Sequence, residues 1–270
     1  MFKKRCILFY NICIKLKFIK ENILETEIYE FINIFRDKLI NNCENILGIY
    51  LFGSLAYGGF DENSSDIDIN VITKDLLNEN EMNIIKNIHK ELIELNNIWG
   101  NRLEVSYTPI FMIKEKSIPD IPRPYYNGKF YEKAGYGNEW LINNYLILNY
   151  GKNIYGQEYK KLINYDITIE DIKKCCLNDF YKEWYPKIND NEWLQNSENQ
   201  AYIVLNICRI IYTIKNNKIG NKKISAKWVK EKYEQWKDLV EEAEKWEINK
   251  IINKQDEIKK YIKYMDNVIK

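Results

Sequence analysis

One stretch constrains this chain more than any other: Leu51 to Val71, LFGSLAYGGFDENSSDIDINV. It reads as a strand ending in Gly53-Ser54, a glycine-bearing turn, and a second strand that carries Asp66 and Asp68. Side chains alternate along a strand, so two carboxylates one residue apart point to the same face, with Ile67, Ile69 and Val71 on the other. Two convergent carboxylates are what a hard divalent cation needs, above all one that also holds a nucleotide's phosphates. Gly53 has no side chain to keep a phosphate off the backbone. Ser54 opens a helix, where its hydroxyl and the exposed amides can hold anionic oxygens. The first expectation is an enzyme that handles phosphates.

A third acid extends the pattern. Leu103-Glu104-Val105-Ser106-Tyr107 alternates, which makes it a strand with Leu103, Val105 and Tyr107 on the buried side. On a strand neighbouring the Asp pair, Glu104 would point into the same space, and three acids would frame one or two metal ions. A D-x-D pair alone is common at turns and strand ends. The ordered set is far more specific: strand-Gly-Ser, eleven residues, D-x-D on a strand, then an acid on a later alternating strand.

Composition narrows the partners. At 270 residues the chain holds one large domain or two modest ones, and its 46% hydrophobic content supports a real core. The net charge of +1 gives no global field to attract nucleic acid or a membrane, so neither is expected as a partner. None of the six cysteines (Cys6, Cys13, Cys43, Cys175, Cys176, Cys208) forms a C-x-x-C pair. They read as small buried hydrophobes in a reducing, cytoplasmic setting rather than zinc ligands. His89 is the only histidine and lies in an amphipathic run, which reads as a surface or half-buried structural side chain. A Ser-His-Asp or Cys-His arrangement therefore has little support. The first twenty residues hold six Lys or Arg and no acid, in apolar runs too short for a membrane span. They read as a tail or helix preceding the domain.

Helical spacing over Glu27–Asn42, a strand at Ile49–Phe52, a helix start at Ser54–Tyr57, a strand at Ile67–Ile72, a helix over Asn80–Asn96 and the strand Leu103–Thr108 describe a small mixed α/β layer. Pro109, Pro119, Pro122 and Pro124 put a boundary near residue 119. Beyond it only helices are expected: Trp140–Tyr150, Ile169–Tyr185, Glu198–Lys215, Ser225–Tyr233, Lys237–Ile248 and Asn253–Ile269.

The acidic set resembles the nucleotidyltransferase superfamily related to polymerase beta. The rest of the chain is similar to the aminoglycoside 3''/9-type adenylyltransferases in three further places. Gly137-Asn138-Glu139-Trp140 resembles a G-E-W element after the third acidic strand. Arg209-Ile210-Ile211-Tyr212-Thr213, with Lys218-Ile219, Lys222 and Trp228, resembles an arginine helix and the lysine-bearing segment after it. Tyr261 to Ile269 resembles a closing helix with an ATP-contacting tyrosine. The similarity runs from about Glu27 to Lys270.

The resemblance implies an N-terminal nucleotidyltransferase domain over residues 25–118 with a small mixed sheet and flanking helices, after an extension at 1–24. A linker at 119–136 and an all-helical domain at 137–270 would follow. It implies AMP transfer from ATP, with two magnesium ions, to a hydroxyl of a polycationic aminoglycoside-type antibiotic by a monomer. Asp66, Asp68 and Glu104 would be metal ligands, with Glu104 also the general base. Gly53, Ser54 and Ser65 would hold the triphosphate, Arg209 and Lys222 would reach it from the helical domain, and Tyr264 would contact the nucleotide. Glu139, Trp140, Trp184 and Asp190 would line the acceptor pocket. Two departures bear on the acceptor: the Trp184-to-Asp190 spacing differs from the family's by one residue, with an insertion after it, and Asn199 stands where the family has an acid.

The residues taken alone leave other readings open. Arg209, in an otherwise apolar helix, needs a partner that is structural as easily as ATP. Lys222 would serve equally as a solvated turn, and the tryptophans as core. A nucleotidyltransferase acting on a protein, on another small molecule or on nucleic acid, or a catalytically silent nucleotide-binding module, are the alternatives. The long helical half argues against the first, the neutral charge balance against a nucleic-acid substrate, and the intact trio of acids against the last.

Overall fold

The computed structural model describes residues 24–62, 65–95, 98–247 and 250–270. The expected extension, residues 1–24, lies outside them except for its last residue. Residues 24–42 form helix α1, whose Ile28, Phe31, Ile32, Phe35 and Leu39 recur every three or four residues and are all buried. Strand β1 (Ile46–Leu51) follows, then the short helix α2 (Gly53–Tyr57), β2 (Ile67–Thr73), α3 (Glu79–Glu94), α4 (Ile98–Asn101) and β3 (Leu103–Pro109). A reciprocal capping box between Asn78 and Glu81 fixes where α3 begins.

The chain then departs from expectation. The stretch 119–136 is not a linker. Arg123–Asn127 and Phe130–Ala134 form strands β4 and β5, which extend the sheet beyond β3. Pro124 is tolerated because the β4–β5 register shifts between Arg123 and Tyr125, so no ladder bond needs the missing N–H. The hairpin turn holds Asn127-Gly128, with Gly128 at φ 73°, where glycine carries no steric cost. Nor is 137–270 wholly helical. After α5 (Trp140–Tyr150), Lys152–Gly156 returns as strand β6 on the far edge, against β1. It is mostly exposed and shows no alternation, which is why its sequence does not announce a strand.

The six strands run in the order β5-β4-β3-β2-β1-β6, and β2–β3 is the parallel seam among antiparallel neighbours. On one face α1, α3 and Trp99 of α4 cover Ile49, Leu51, Ile67, Ile69, Val71, Leu103, Val105 and Tyr107. His89 is buried in this layer at 2% exposure, not at the surface. It stacks on Tyr126 at 3.8 Å and shares a 2.7 Å hydrogen bond with the Tyr107 hydroxyl. Large aromatic neighbours from β3 and β4 enclose it, and β4 is one of the strands the sequence did not announce.

On the other face α5 packs against Tyr50 and Ile72. The helical half follows: α6 (Ile169–Asp179), α7 (Ser197–Asn216), α8 (Lys222–Lys232), α9 (Lys237–Glu244) and α10 (Gln255–Ile269), around a core that includes Phe180, Ile207, Ile211, Leu239, Tyr261 and Ile262. The helix expected over Ile169–Tyr185 is α6 followed by a π-helical turn, Phe180–Trp184, and a 3-10 turn, Tyr185–Asn189. Pro186 cannot supply the amide a continuing helix would need. Among the described residues no helix is long and apolar enough to cross a membrane.

Candidate active site

The parallel seam builds the site. Asp68 on β2 and Glu104 on β3 are direct Cα partners, so their side chains leave the sheet on the same face, away from α1 and α3. Asp66 lies immediately before β2, two residues from Asp68, and is exposed at the rim. Gly53 has φ 66°, and a Cβ there would land on the Asp68 carboxylate. The glycine is thus required twice, by its backbone and by the aspartate that fills its side-chain space. The Phe52 amide donates to the Asp68 carbonyl at 2.9 Å, locking the α2 turn to β2. No side chain caps α2.

Ser65 faces its own loop. Its hydroxyl accepts from the Asp61 amide at 2.9 Å, and its backbone carbonyl, with those of Asp61 and Glu62, accepts from Arg102. Arg102 is held over the Trp99 ring at 4.9 Å. Sequence reasoning missed this clamp, which fixes the loop leading into Asp66.

The electrostatics follow from the packing. Burial, then repulsion from Glu104 and Asp66, pushes the Asp68 carboxyl well above the usual range. Burial raises Glu104, with Asp66 and Glu139 adding to the effect, while a hydrogen bond from Tyr125 and the charge of Arg123 oppose it. Asp66 is raised by desolvation and drawn back by Arg102 and Lys222.

The helical half brings the opposing charges. Arg209 on α7 and Lys222 at the start of α8 both act on Asp68. Desolvation and the neighbouring Arg209 lower the Lys222 ammonium, and Asp66 and Asp68 raise it. Lys222 is exposed at the start of α8, within electrostatic reach of both aspartates. Direct contacts between the two halves form at the α8 N-terminus. There Asn221 caps the helix, accepting from the Ile224 amide at 2.8 Å, and reaches across to donate to the Gly58 carbonyl at 3.4 Å. Lys223 pairs with Asp61 at 3.6 Å. Tyr57 on α2 is influenced by both Asp68 and Arg209, another neighbour of the site that no motif pointed to.

Glu139 and Trp140 share a recess with Glu104, Arg123, Tyr125, Tyr136 and Asn144, with about 30 Å³ of free space, room for about one water. Trp140 Nε1 and Asn144 Nδ2 are buried there without a hydrogen-bond partner. The other expected residues are not drawn to this recess. Trp184 donates Nε1 to Asp179 at 2.6 Å and packs near Tyr202. Asp179, raised by burial, sits within the influence of Glu139, Glu183 and Arg209. Asp190 is paired with Lys187 at 2.7 Å and caps the turn at Trp193, which holds its carboxyl below the usual range. Its charge is satisfied locally. Asn199 is spent on the start of α7, donating to the Trp193 carbonyl at 2.9 Å. Tyr264 packs against Tyr233 and Trp236 within the helical bundle, at 5.8 and 5.6 Å between ring centroids.

Among the described residues, no group of three or more histidine, cysteine, aspartate or glutamate side chains could hold a metal ion. The three-acid cage expected of Asp66, Asp68 and Glu104 is thus not assembled by the chain alone. Carboxylates without a counter-ion repel one another. Magnesium commonly takes one or two carboxylates together with substrate phosphates, not an all-protein cage. The hard oxygens of Asp66 and Asp68, crowded against Glu104, fit that partial donor set.

Parallel-seam carboxylates behind a glycine-serine turn, faced by a lysine and an arginine from a helical half, define a nucleotidyltransferase. Residues 36–101 match the family model described as polymerase beta, nucleotidyltransferase, and residues 176–268 match that of the aminoglycoside adenylyltransferase C-terminal domain. The chain therefore carries a nucleotidyltransferase domain followed by a region that matches the C-terminal domain of aminoglycoside adenylyltransferases.

Among solved structures it is similar to the spectinomycin adenyltransferase AAD(9) from Enterococcus faecialis, crystallised with ATP and spectinomycin. The identity is 22% and the TM-score 0.68, over 89% of this chain and 98% of that one. An MntA-HpeT toxin–antitoxin structure gives 16% identity and a TM-score of 0.27, over 62% of this chain and 96% of that one, too low to bear on the fold. No curated protein matches.

Proposed function

We propose that the protein transfers AMP from ATP to a hydroxyl of an aminoglycoside-type antibiotic, similar to streptomycin or spectinomycin, with release of pyrophosphate. The observation that carries this reading is the pairing of Asp68 with Glu104 across the parallel seam, opposite Arg209 and Lys222. The likeness to the AAD(9) fold supports it.

In this reading Asp66 and Asp68 bind magnesium, two ions in the arrangement that the family resemblance implies. The metal would supply charge neutralisation on the triphosphate. Gly53 lets the turn backbone approach the phosphates, and Ser54 and Ser65 offer hydroxyls to them. Lys222 and Arg209 attract the triphosphate from the helical side, so that ATP draws the two halves together. Tyr264 contacts the nucleotide. Glu104 takes the proton of the acceptor hydroxyl as its oxygen attacks the α-phosphorus. The bond to the β-phosphate oxygen breaks and pyrophosphate leaves. Burial and neighbouring acids keep Glu104 basic enough to accept that proton. Catalysis is then mostly positioning and charge stabilisation.

Glu139 and Trp140 would meet the acceptor beside Glu104, with Trp184 and Asp190 farther out. Glu139 and Glu183 both act on Asp179, and the three acids offer the negative charge a polycation needs. ATP, magnesium and a panel of aminoglycosides test the reading through pyrophosphate release. Turnover with streptomycin or spectinomycin that disappears in Asp66→Ala and Glu104→Ala supports it. Turnover only with a protein or a nucleic-acid end, or with nothing, rejects it.

A further inference from the structure

We propose that Tyr125 is a positioning residue for Glu104: its phenol holds the carboxylate in the orientation that meets the acceptor hydroxyl, and Arg123 clamps the phenol in place. The inference rests on the reading of Glu104 as the proton acceptor.

On β4, Tyr125 pairs with Ser106 and Asn127 pairs with Glu104, so Tyr125 and Glu104 are diagonal neighbours on the same face of the sheet. Long side chains reach across such diagonals. The two side chains border one recess, which puts the Tyr125 hydroxyl beside the Glu104 carboxylate, an acceptor it can donate to. Glu104 otherwise lies among like charges, Asp66, Asp68 and Glu139. Electrostatics alone would turn it away from them. One directed donor fixes the rotamer and still leaves lone pairs free for a substrate hydroxyl.

Arg123 is built to hold the phenol. It is 7% exposed, donates Nε to the Ser106 hydroxyl and Nη1 to the Gly135 carbonyl, both at 2.5 Å, and lies 5.1 Å from the Tyr125 ring and 4.1 Å from that of Tyr136. A guanidinium anchored at two atoms and stacked on two rings cannot swing out to a ligand. Its consequence for the site runs through Tyr125. Both residues border the recess that holds Glu104, Glu139 and Trp140.

Tyr125 is half-buried, so Tyr125→Phe keeps the packing and removes only the hydroxyl. Two measurements decide together: steady-state kinetics of the variant with the acceptor the wild type turns over, and its crystal structure. The expected result is a kcat about 10- to 100-fold lower, with both KM values within about two-fold, an unchanged melting temperature, and a Glu104 carboxylate displaced from its wild-type position. Arg123→Lys moves kcat in the same direction. A kcat within about two-fold of wild type, a loss carried by KM alone, or a Glu104 that has not moved overturns the proposal. Should the wild type turn over no acceptor, the functional reading fails separately. The crystal structure then decides alone: a displaced Glu104 supports the positioning role and a retained one rejects it.

Discussion

Asp68 and Glu104 are partners across the single parallel seam among the described strands, and each raises the energetic cost of the other's charge. Two carboxylates held side by side by the backbone are a liability to a folded chain. They are tolerated where a cation and a substrate relieve the repulsion.

Asp68→Asn removes one of the repelling charges. The expected outcome is a variant more stable than wild type by about 1 kcal/mol and inactive, the trade seen where a site holds strain for function. Thermal denaturation with and without Mg–ATP checks it. Wild type gains stability on adding Mg–ATP and loses that gain when EDTA strips the metal, whereas the variant responds weakly to both.

Gly53→Ala tests the close approach. The new methyl needs the space of the Asp68 carboxylate and a left-handed backbone. A loss of about 1 kcal/mol in stability and of about 100-fold in kcat is expected. Retained activity would show that the turn is free to adjust.

Asn221 separates capping from contact between the halves. Asn221→Ser keeps a capping oxygen but is too short to reach the Gly58 carbonyl. Stability should stay within about 0.5 kcal/mol, while the KM for ATP rises. Asn221→Ala should also lose about 1 kcal/mol of stability. Calorimetry and steady-state kinetics distinguish the two.

His89 sets an acid limit. Burial lowers its pKa to about 3, so the folded state keeps it neutral while the unfolded chain protonates near the ordinary value of 6.5. The unfolded state then binds more protons between those values. Stability is full above about pH 6.5 and falls as pH drops toward 3, by roughly 2 kcal/mol at pH 5. The double variant His89→Phe/Tyr107→Phe removes both hydrogen-bond partners and should show a flatter pH profile in urea denaturation.

The acidic seam was legible because its signals are local. Asp66, Asp68 and Glu104 sit in alternating apolar runs that can only be half-buried strands, and Gly53 sits where a side chain would collide. β4 was hidden by Pro122 and Pro124, although Asn127-Gly128 between Tyr126 and Phe130 is a hairpin signal. Missing that strand hid Tyr125 and Arg123, which sheet pairing brings beside Glu104 and Ser106 without any mark of spacing. It also misjudged His89, which is enclosed by Tyr126 from the same strand. Asp190 drew attention by its place after Trp184, yet Lys187 three residues earlier neutralises it. A local ion pair of that kind is readable in sequence only when the turn is known.

The central claim is tested most directly by mass spectrometry of spectinomycin and streptomycin after incubation with the protein, ATP and magnesium. The account predicts that one of the two gains a single adenylyl group, with one pyrophosphate released per product, and that Glu104→Gln gives neither. Unmodified antibiotics beside a protein shown to bind ATP would contradict it.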